Sequence, residues 1–434
     1  MGTEISLDIG GMSVAWSKNH RGMDHGFLFQ STDRRRVPFG EDDKQAEDDD
    51  PDIAQMEMTF IRALRSALAR LELLGHTLKA VKADYERVAR ESVEERRAFQ
   101  DEGIDEEQPL ELMPFEEFQA FVTRFAIADL DNSFQSYLYD DWAQRLNGRF
   151  ADNSIVGRVP SVSAYDVDGY SERSYFGSLI GFLHPYNILR LLAENERNLE
   201  SNLEWRYGPL VCNGWAQESE FVPNARRART FLIATEGSSD IYIIQHAIAL
   251  LRPEIADFFR FFDVSEGHPF SGAGSLVHFA RGLAKIDVHN QLLFLLDNDA
   301  EGVSAFQKIS ALALPANMRA ATLPEMERFR KFRTRGPDGT GATDINGRAV
   351  AIECYLDLTA ETASPAEVGW TAYKKDLGVY QGELLKKEAY TKTFLKRAAS
   401  IDDYDMSGVT AVLDMIYAEC SGIGEMAWIS KASA

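Results

Sequence analysis

The stretch FLIATEGSSDIYIIQHAIALL, residues 231–251, passes from a short apolar run through Glu236, Gly237, Ser238, Ser239 and Asp240 into an apolar helical pattern. A second stretch, NQLLFLLDNDAEG at 290–302, repeats the arrangement with Asp297, Asp299 and Glu301. A brief apolar run that ends in small and acidic residues is the mark of a buried strand handing over to a helix. Around these two stretches the spacing predicts strands at 231–235, 259–264, 291–296 and 319–323, with helices at about 240–251, 275–286 and 302–312. The order βαβαβαβ implies a parallel sheet under covering helices, joined by right-handed crossovers. Every strand's carboxyl end then lies on one edge, where open α/β sheets take their ligands.

On that edge Glu236 leaves the first strand, while Asp297 and Asp299 leave the third. Two-residue spacing puts Asp297 and Asp299 on the same side of the departing chain, and Gly237 and Gly302 allow a backbone or a phosphate to come close. Asp240 stands in the first helical turn and can face the same spot. Gathered carboxylates repel and raise one another's pKa unless a cation neutralises them. Mg²⁺ (or Mn²⁺) suits such a set, because it takes a few carboxylates and keeps water and phosphate oxygens as its other ligands. Zinc is disfavoured, since no His or Cys adjoins the two motifs. Glu353 in AIECYLDL is a candidate further ligand, and Lys387 in YQGELLKKEAY a candidate cation for charge developing on a phosphate. The competing account is that these acids only cap their helices. No GxGxxG follows the first strand and no GK[ST] is present, which argues against dinucleotide and P-loop sites.

The chain has 434 residues, of which 45% are hydrophobic, enough for two or three domains. It lacks a run of about 18 apolar residues and opens without a signal-peptide pattern, so the expectation is a cytoplasmic protein with no membrane span. Cys212, Cys354 and Cys420 are too few and scattered for a disulfide framework. A net charge of -22 argues against a surface coated with nucleic acid but leaves room for a local basic groove. The acidic stretch EDDKQAEDDDPD at 41–52 reads as a solvated loop. RFRKFRTR at 328–335 interleaves Arg328, Arg330, Lys331, Arg333 and Arg335 with Phe329 and Phe332, and Lys374 and Lys375 follow in a second basic cluster. Charge for phosphates and rings for bases would suit a nucleic-acid strand; an ordinary solvated basic loop is the alternative.

Before residue 229 the texture differs. Ile5, Leu7 and Ile9 alternate ahead of Gly10 and Gly11, and Val14 and Trp16 continue the alternation, predicting a strand pair. FLFQ at 27–30 reads as a further strand. Met56, Phe60, Leu64, Leu68, Leu71 and Leu74 predict a helix that Gly75 ends or bends. Further helices are expected at 80–98, at 114–130 with Pro114 in the first turn, and at 185–205, while 147–182 reads as loop with short strands.

With Glu236-Gly237 after one strand and Asp297-x-Asp299 after another, residues 229–325 resemble the Toprim family, found in topoisomerases, primases, recombination proteins and nucleases that use metal ions in phosphoryl transfer. The resemblance implies a catalytic role for Glu236 and Mg²⁺ binding by Asp297 and Asp299. With the opening ISLDIGGMSVAWSKN and RLELLGHTL at 70–78, the whole layout is similar to bacterial HEPN/Toprim-associated proteins, which are regarded as nucleases of phage defence. It implies an N-terminal domain at 1–228, a Toprim-like catalytic domain at 229–325, and a basic extension at 326–434 that completes it. The expected activity is Mg²⁺-dependent endonuclease cleavage of DNA or RNA. A Toprim-shaped subunit that only binds nucleic acid or a partner protein is the rival. So is a metal-independent ribonuclease built on Arg70 and His76, whose spacing fits the loose R-x(4 to 6)-H pattern of HEPN enzymes. The acidic, helical front part would suit a homo-oligomer or a complex with another defence protein.

Overall fold

The computed structural model describes residues 2–38, 51–101, 111–135, 147–150, 157–160, 170–226, 229–264, 267, 269–270, 272–286, 288–336, 339–359, 365–396 and 404–432. They form two compact units, Met1–Ala225 with Ala427–Ala434, and Arg226–Met426. The expected acidic loop at 41–52 falls outside the described residues except for Pro51 and Asp52, which open a short helix.

The first unit is built on β1 (Glu4–Ile9), β2 (Met12–Lys18), β3 (Arg34–Arg36), β4 (Met58–Ala63) and β5 (Asn202–Arg206), in the order β2-β1-β5-β4-β3. Gly10 and Gly11 turn β1 into β2 at φ 53° and 77°, left-handed values that glycine adopts without a Cβ penalty. Trp205 on β5 pairs with Leu7 on one side and Phe60 on the other, and all three are buried. Its helices are α1 (Pro51–Met56), α2 (Leu64–Leu73), α3 (Leu78–Asp101), α4 (Phe115–Thr123), α5 (Glu172–Ile180), α6 (Pro185–Leu192) and α7 (Gly208–Cys212).

Five local expectations are corrected here. The single helix read through 53–74 is interrupted by β4, because Phe60 serves the sheet between β3 and β5. The helix read over 185–205 stops at Leu192, and Leu203 and Trp205 alternate inward on β5 instead. Residues 172–180, read as loop, form α5, whose N-cap Ser171 accepts from the Ser174 N–H. Residues 26–28 are a 3₁₀ turn rather than the start of a strand, and Pro114 is the N-cap of α4, which ends at Thr123.

The second unit opens with β6 (Phe231–Ala234), α8 (Ser238–Leu251), β7 (Phe259–Phe261), α9 (Ala273–Leu283), β8 (Gln291–Leu296), β9 (Asn298–Asp299), α10 (Ala300–Ser310) and β10 (Met318–Thr322). β6, β7, β8 and β10 form a sheet in the order β10-β8-β6-β7, and every pairing is parallel. The fold is thus mixed α/β with a parallel sheet. Leu292, Phe294 and Leu296 of β8 pack with Leu276 and Ala280 of α9 and Ala305 and Ile309 of α10. β11 (Phe332–Gly336), β12 (Gly339–Thr343), β13 (Ala349–Val350), β14 (Val368–Lys374) and β15 (Val379–Leu384) follow, then α11 (Lys387–Lys396) and α12 (Ser407–Ala432), whose residues from Ala427 onward belong to the first unit. β13 pairs antiparallel with β9, and β14 with β15, which brings later chain segments to the carboxyl edge of the sheet.

Candidate functional site

Two strand ends meet through one hydrogen bond. Glu236, two residues beyond β6, accepts at Oε1 from the backbone N–H of Asp297, the first residue after β8, at 3.0 Å. β6 and β8 are parallel neighbours, so their ends lie side by side and the acids that follow them share one space. Gly302 permits the tight exit from β8: a Cβ there would lie 2.1 Å from the Asp297 carbonyl oxygen. The Gly237 N–H donates to Asp240 Oδ2 at 3.0 Å, closing the first turn of α8. Asp299 is the N-cap of α10, accepting from the Gly302 N–H at 2.7 Å, and its other oxygen accepts from Gln381 Nε2 of β15 at 2.6 Å.

Glu353 arrives by a different route. The pairing of Ala349 with Asp299 and of Val350 with Asn298 sets the turn Ile352–Tyr355 against this edge, and Glu353 in that turn is 3% exposed. Lys387 opens α11, close enough for its ammonium to act on Asp240.

These groups influence one another electrostatically. Burial pushes Glu236 up to about 7, and the Asp299, Asp240 and Glu301 carboxylates add to the rise against the Asp297 N–H. Burial likewise lifts Asp240 to about 7, with Glu353 adding and Lys387 opposing. Asp297 is driven well above the ordinary carboxylate range by burial, then by Asp240, Glu236, Asp299 and Glu353. Burial also raises Asp299, with Glu301 contributing.

Glu236, Asp240, Asp297, Asp299 and Glu353 form no ion pair with any described Lys or Arg; only Glu301 does, with Lys374 Nζ at 2.5 Å. Asp240 and Asp299 cap helices. The carboxylates of Asp297 and Glu353, by contrast, accept no hydrogen bond from any described residue. Among the described residues, no three His, Cys, Asp or Glu side chains already stand together as a metal cage. The donor set, all oxygen and spaced apart, suits an ion that binds through one or two carboxylates and completes its shell with water and phosphate oxygens, as Mg²⁺ does.

The other candidates stand elsewhere. Arg328 donates to the Cys354 carbonyl and lies 3.4 Å from Asp405, Arg330 pairs with Glu327 at 3.1 Å, and Arg333 pairs with Glu367 at 3.0 Å. Lys331 and Arg335 are exposed, as is Lys375 in the β14–β15 turn. Arg70 is fully buried and donates to the carbonyls of Phe27 and Phe29; His76, 4% exposed, has Nδ1 2.8 Å from Asn187 Oδ1. Arg70 is therefore occupied with backbone carbonyls. Sequence reasoning missed Gln381, because a lone glutamine in a hairpin carries no local signal of the carboxylate it holds.

The parallel sheet and its acidic edge define a class of α/β protein with a carboxylate cluster at neighbouring strand ends. The family described as HEPN/Toprim N-terminal domain 1 matches residues 1–229, more than half of the chain, and the protein belongs to that family. The family's name joins two nuclease-related domain types. No curated protein matches the chain, and no solved structure does. No helix among the described residues is long and apolar enough to cross a membrane.

Proposed function

We propose that this protein is a Mg²⁺- or Mn²⁺-dependent endonuclease that cleaves phosphodiester bonds in DNA or RNA, acting in the cytoplasm in anti-phage defence. The observation that carries the reading is the Glu236–Asp297 hydrogen bond, which joins the two acidic strand ends while Glu236, Asp297 and Asp299 form no ion pair with a described Lys or Arg. Family membership supports the nuclease class, and the likeness to HEPN/Toprim-associated proteins supports the defence role.

Asp297, Asp299 and Glu353 would hold the metal, with Glu236 and Asp240 beside them. The bound ion would polarise the phosphodiester and lower the pKa of a bound water. Glu236, at the junction of the two strand ends, would be placed to take a proton from the attacking water and to release it again. Lys387 would face negative charge as it develops on the phosphoryl oxygens. Gln381 keeps Asp299 oriented through its 2.6 Å bond.

The test is cleavage of plasmid DNA, single-stranded DNA and tRNA with Mg²⁺ or Mn²⁺. At least one substrate should be cut, and Asp297→Ala should abolish cutting while leaving the circular-dichroism spectrum unchanged. Equal activity in the variant would sink the assignment.

A further inference from the structure

The stretch at 328–335 is the most basic in the sequence, yet three of its five cations already have carboxylate partners. Two other places hold cations without them. One cavity of about 500 Å³ is lined by Ser239 and Glu353 from the carboxylate edge and by Lys387, Glu388, Lys392 and Lys396 of α11, three cations to one acid on the helix. Lys392 and Lys396, four residues apart, share one side of the helix, and Lys387 at its start borders the same cavity. A second cavity, of about 440 Å³, is lined by Ala300 and Glu301 at the start of α10, and by His278 and Arg281 of α9 and Lys308 of α10. Its two acids are already engaged: Glu301 with Lys374, and Asp376 with the Ser304 hydroxyl at 3.2 Å. Lys387, Lys392, Lys396, Arg281 and Lys308 form no ion pair with a described carboxylate.

The two cavities flank the acidic cluster. Ser239 and Glu353 border it on the α8 side, next to Asp240; Ala300 and Glu301 border it on the α10 side, next to Asp299. A connected polyanion reaching the carboxylates from one cavity would leave through the other. Each cavity matches a small ligand of the size of one or two nucleotides, too small for a duplex. Tyr242, 47% exposed and three residues from Ser239 on the same face of α8, offers a ring for an unstacked base.

We propose that a single strand of nucleic acid crosses the carboxyl edge of the sheet, its phosphates held by Lys387, Lys392 and Lys396 on one side of the acidic cluster and by Arg281 and Lys308 on the other. This rests on the nuclease reading for what happens at the centre, but the path is set by the cations. It resolves how a chain of net charge -22 holds a polyanion, since the counter-charge is confined to two small hollows.

The test is fluorescence anisotropy of labelled single-stranded DNA and RNA oligonucleotides and of a duplex, in Ca²⁺ over a range of salt. Lys392→Glu/Lys396→Glu and Arg281→Glu/Lys308→Glu should each weaken single-strand binding at least about tenfold and flatten the salt slope by about 1.4, at roughly 0.7 per phosphate contact. Arg330→Glu/Lys331→Glu should bind as the wild type does. Tyr242→Ala should weaken binding without altering the salt slope, a readout that charge reversal cannot mimic. Wild-type affinity and slope in both flank variants, with native circular dichroism, would overturn the path, as would tighter binding of the duplex. Cleavage in Mn²⁺ is scored separately: binding that depends on these cations without any cleavage would refute the nuclease reading and leave the path standing.

Discussion

Replacing Glu236 by Gln separates the charge of this site from its architecture. The amide oxygen can still accept the Asp297 N–H, so the tie between the strand ends remains while one negative charge goes. In the folded chain Glu236 is raised from an ordinary 4.5 to about 7, chiefly by burial and then by Asp299, Asp240 and Glu301. Between those two pH values the folded unit binds more protons than the unfolded chain, so its stability falls as pH rises through the window. At about 1.4 kcal/mol per pKa unit the full cost of ionising the group would be on the order of 3 kcal/mol, and relaxation and solvent screening bring it to about 2. For a unit of this size that corresponds to roughly 4–8 °C in Tm. Without divalent ions at pH 8, Glu236→Gln should therefore unfold several degrees above the wild type; at pH 4.5, where the folded wild type is already protonated, the difference should nearly vanish. Mn²⁺ at about 100 times its Kd would add about 2.7 kcal/mol to the wild type and clearly less to the variant. Calorimetry reads the shift, and hydrogen exchange at the β6 and β8 amides identifies the transition. A variant destabilised equally at both pH values, with an undiminished response to Mn²⁺, would refute the argument.

Three further outcomes follow from particular contacts. Gly302→Ala would push a Cβ into the Asp297 carbonyl, so it should destabilise the second unit by about 1–3 kcal/mol and weaken Mn²⁺ binding, both readable by thermal unfolding with and without the ion. Gln381→Leu removes the donor that orients Asp299, and isothermal titration should show Mn²⁺ affinity reduced about tenfold with little change in denaturation midpoint. Arg70→Ala empties a fully buried site and strips the Phe27 and Phe29 carbonyls of a donor, so the first unit should lose about 2–4 kcal/mol in urea titration. RNA cleavage in EDTA that disappears with His76→Ala would instead make the Arg70 and His76 pair catalytic.

The parallel sheet was legible because strands covered on both faces must be apolar almost throughout, and QLLFLL at 291–296 admits few other readings. Its acidic strand ends were legible for the same reason: a carboxylate directly after such a run is out of place unless something uses it. The first unit was harder. In MTFIRA, β4 borrows Phe60 from what looks like a helical period that runs on through Leu64, and only the pairing with β5 decides the matter. The alternation of Leu203 and Trp205 in β5 was visible but lay at the tail of a longer helical pattern. Glu353 and Gln381 reach the site through the short β9–β13 ladder and the β14–β15 hairpin, non-local pairings that leave no local trace. In the basic stretch at 328–335, composition counts the cations but not the carboxylates of Glu327, Glu367 and Asp405 that stand beside three of them.

Helix capping and ligand binding were rival explanations for the acids, and capping accounts for two of them. Asp240 and Asp299 do cap, each accepting a backbone N–H at the start of its helix, and for them a structural role is sufficient. Capping does not account for Asp297, which precedes the N-cap residue, nor for Glu353, which is buried in a 3₁₀ turn; neither carboxylate accepts a hydrogen bond from a described residue. Burying a carboxylate without a donor or a counter-ion costs several kcal/mol, a cost that a fold without a use for the charge would shed through a neutral side chain. Glu236 connects the two groups, because its hydrogen bond to the Asp297 backbone fixes the position of the residue that most lacks a partner. The caps hold the frame, and the two unpartnered acids leave within it a place for positive charge.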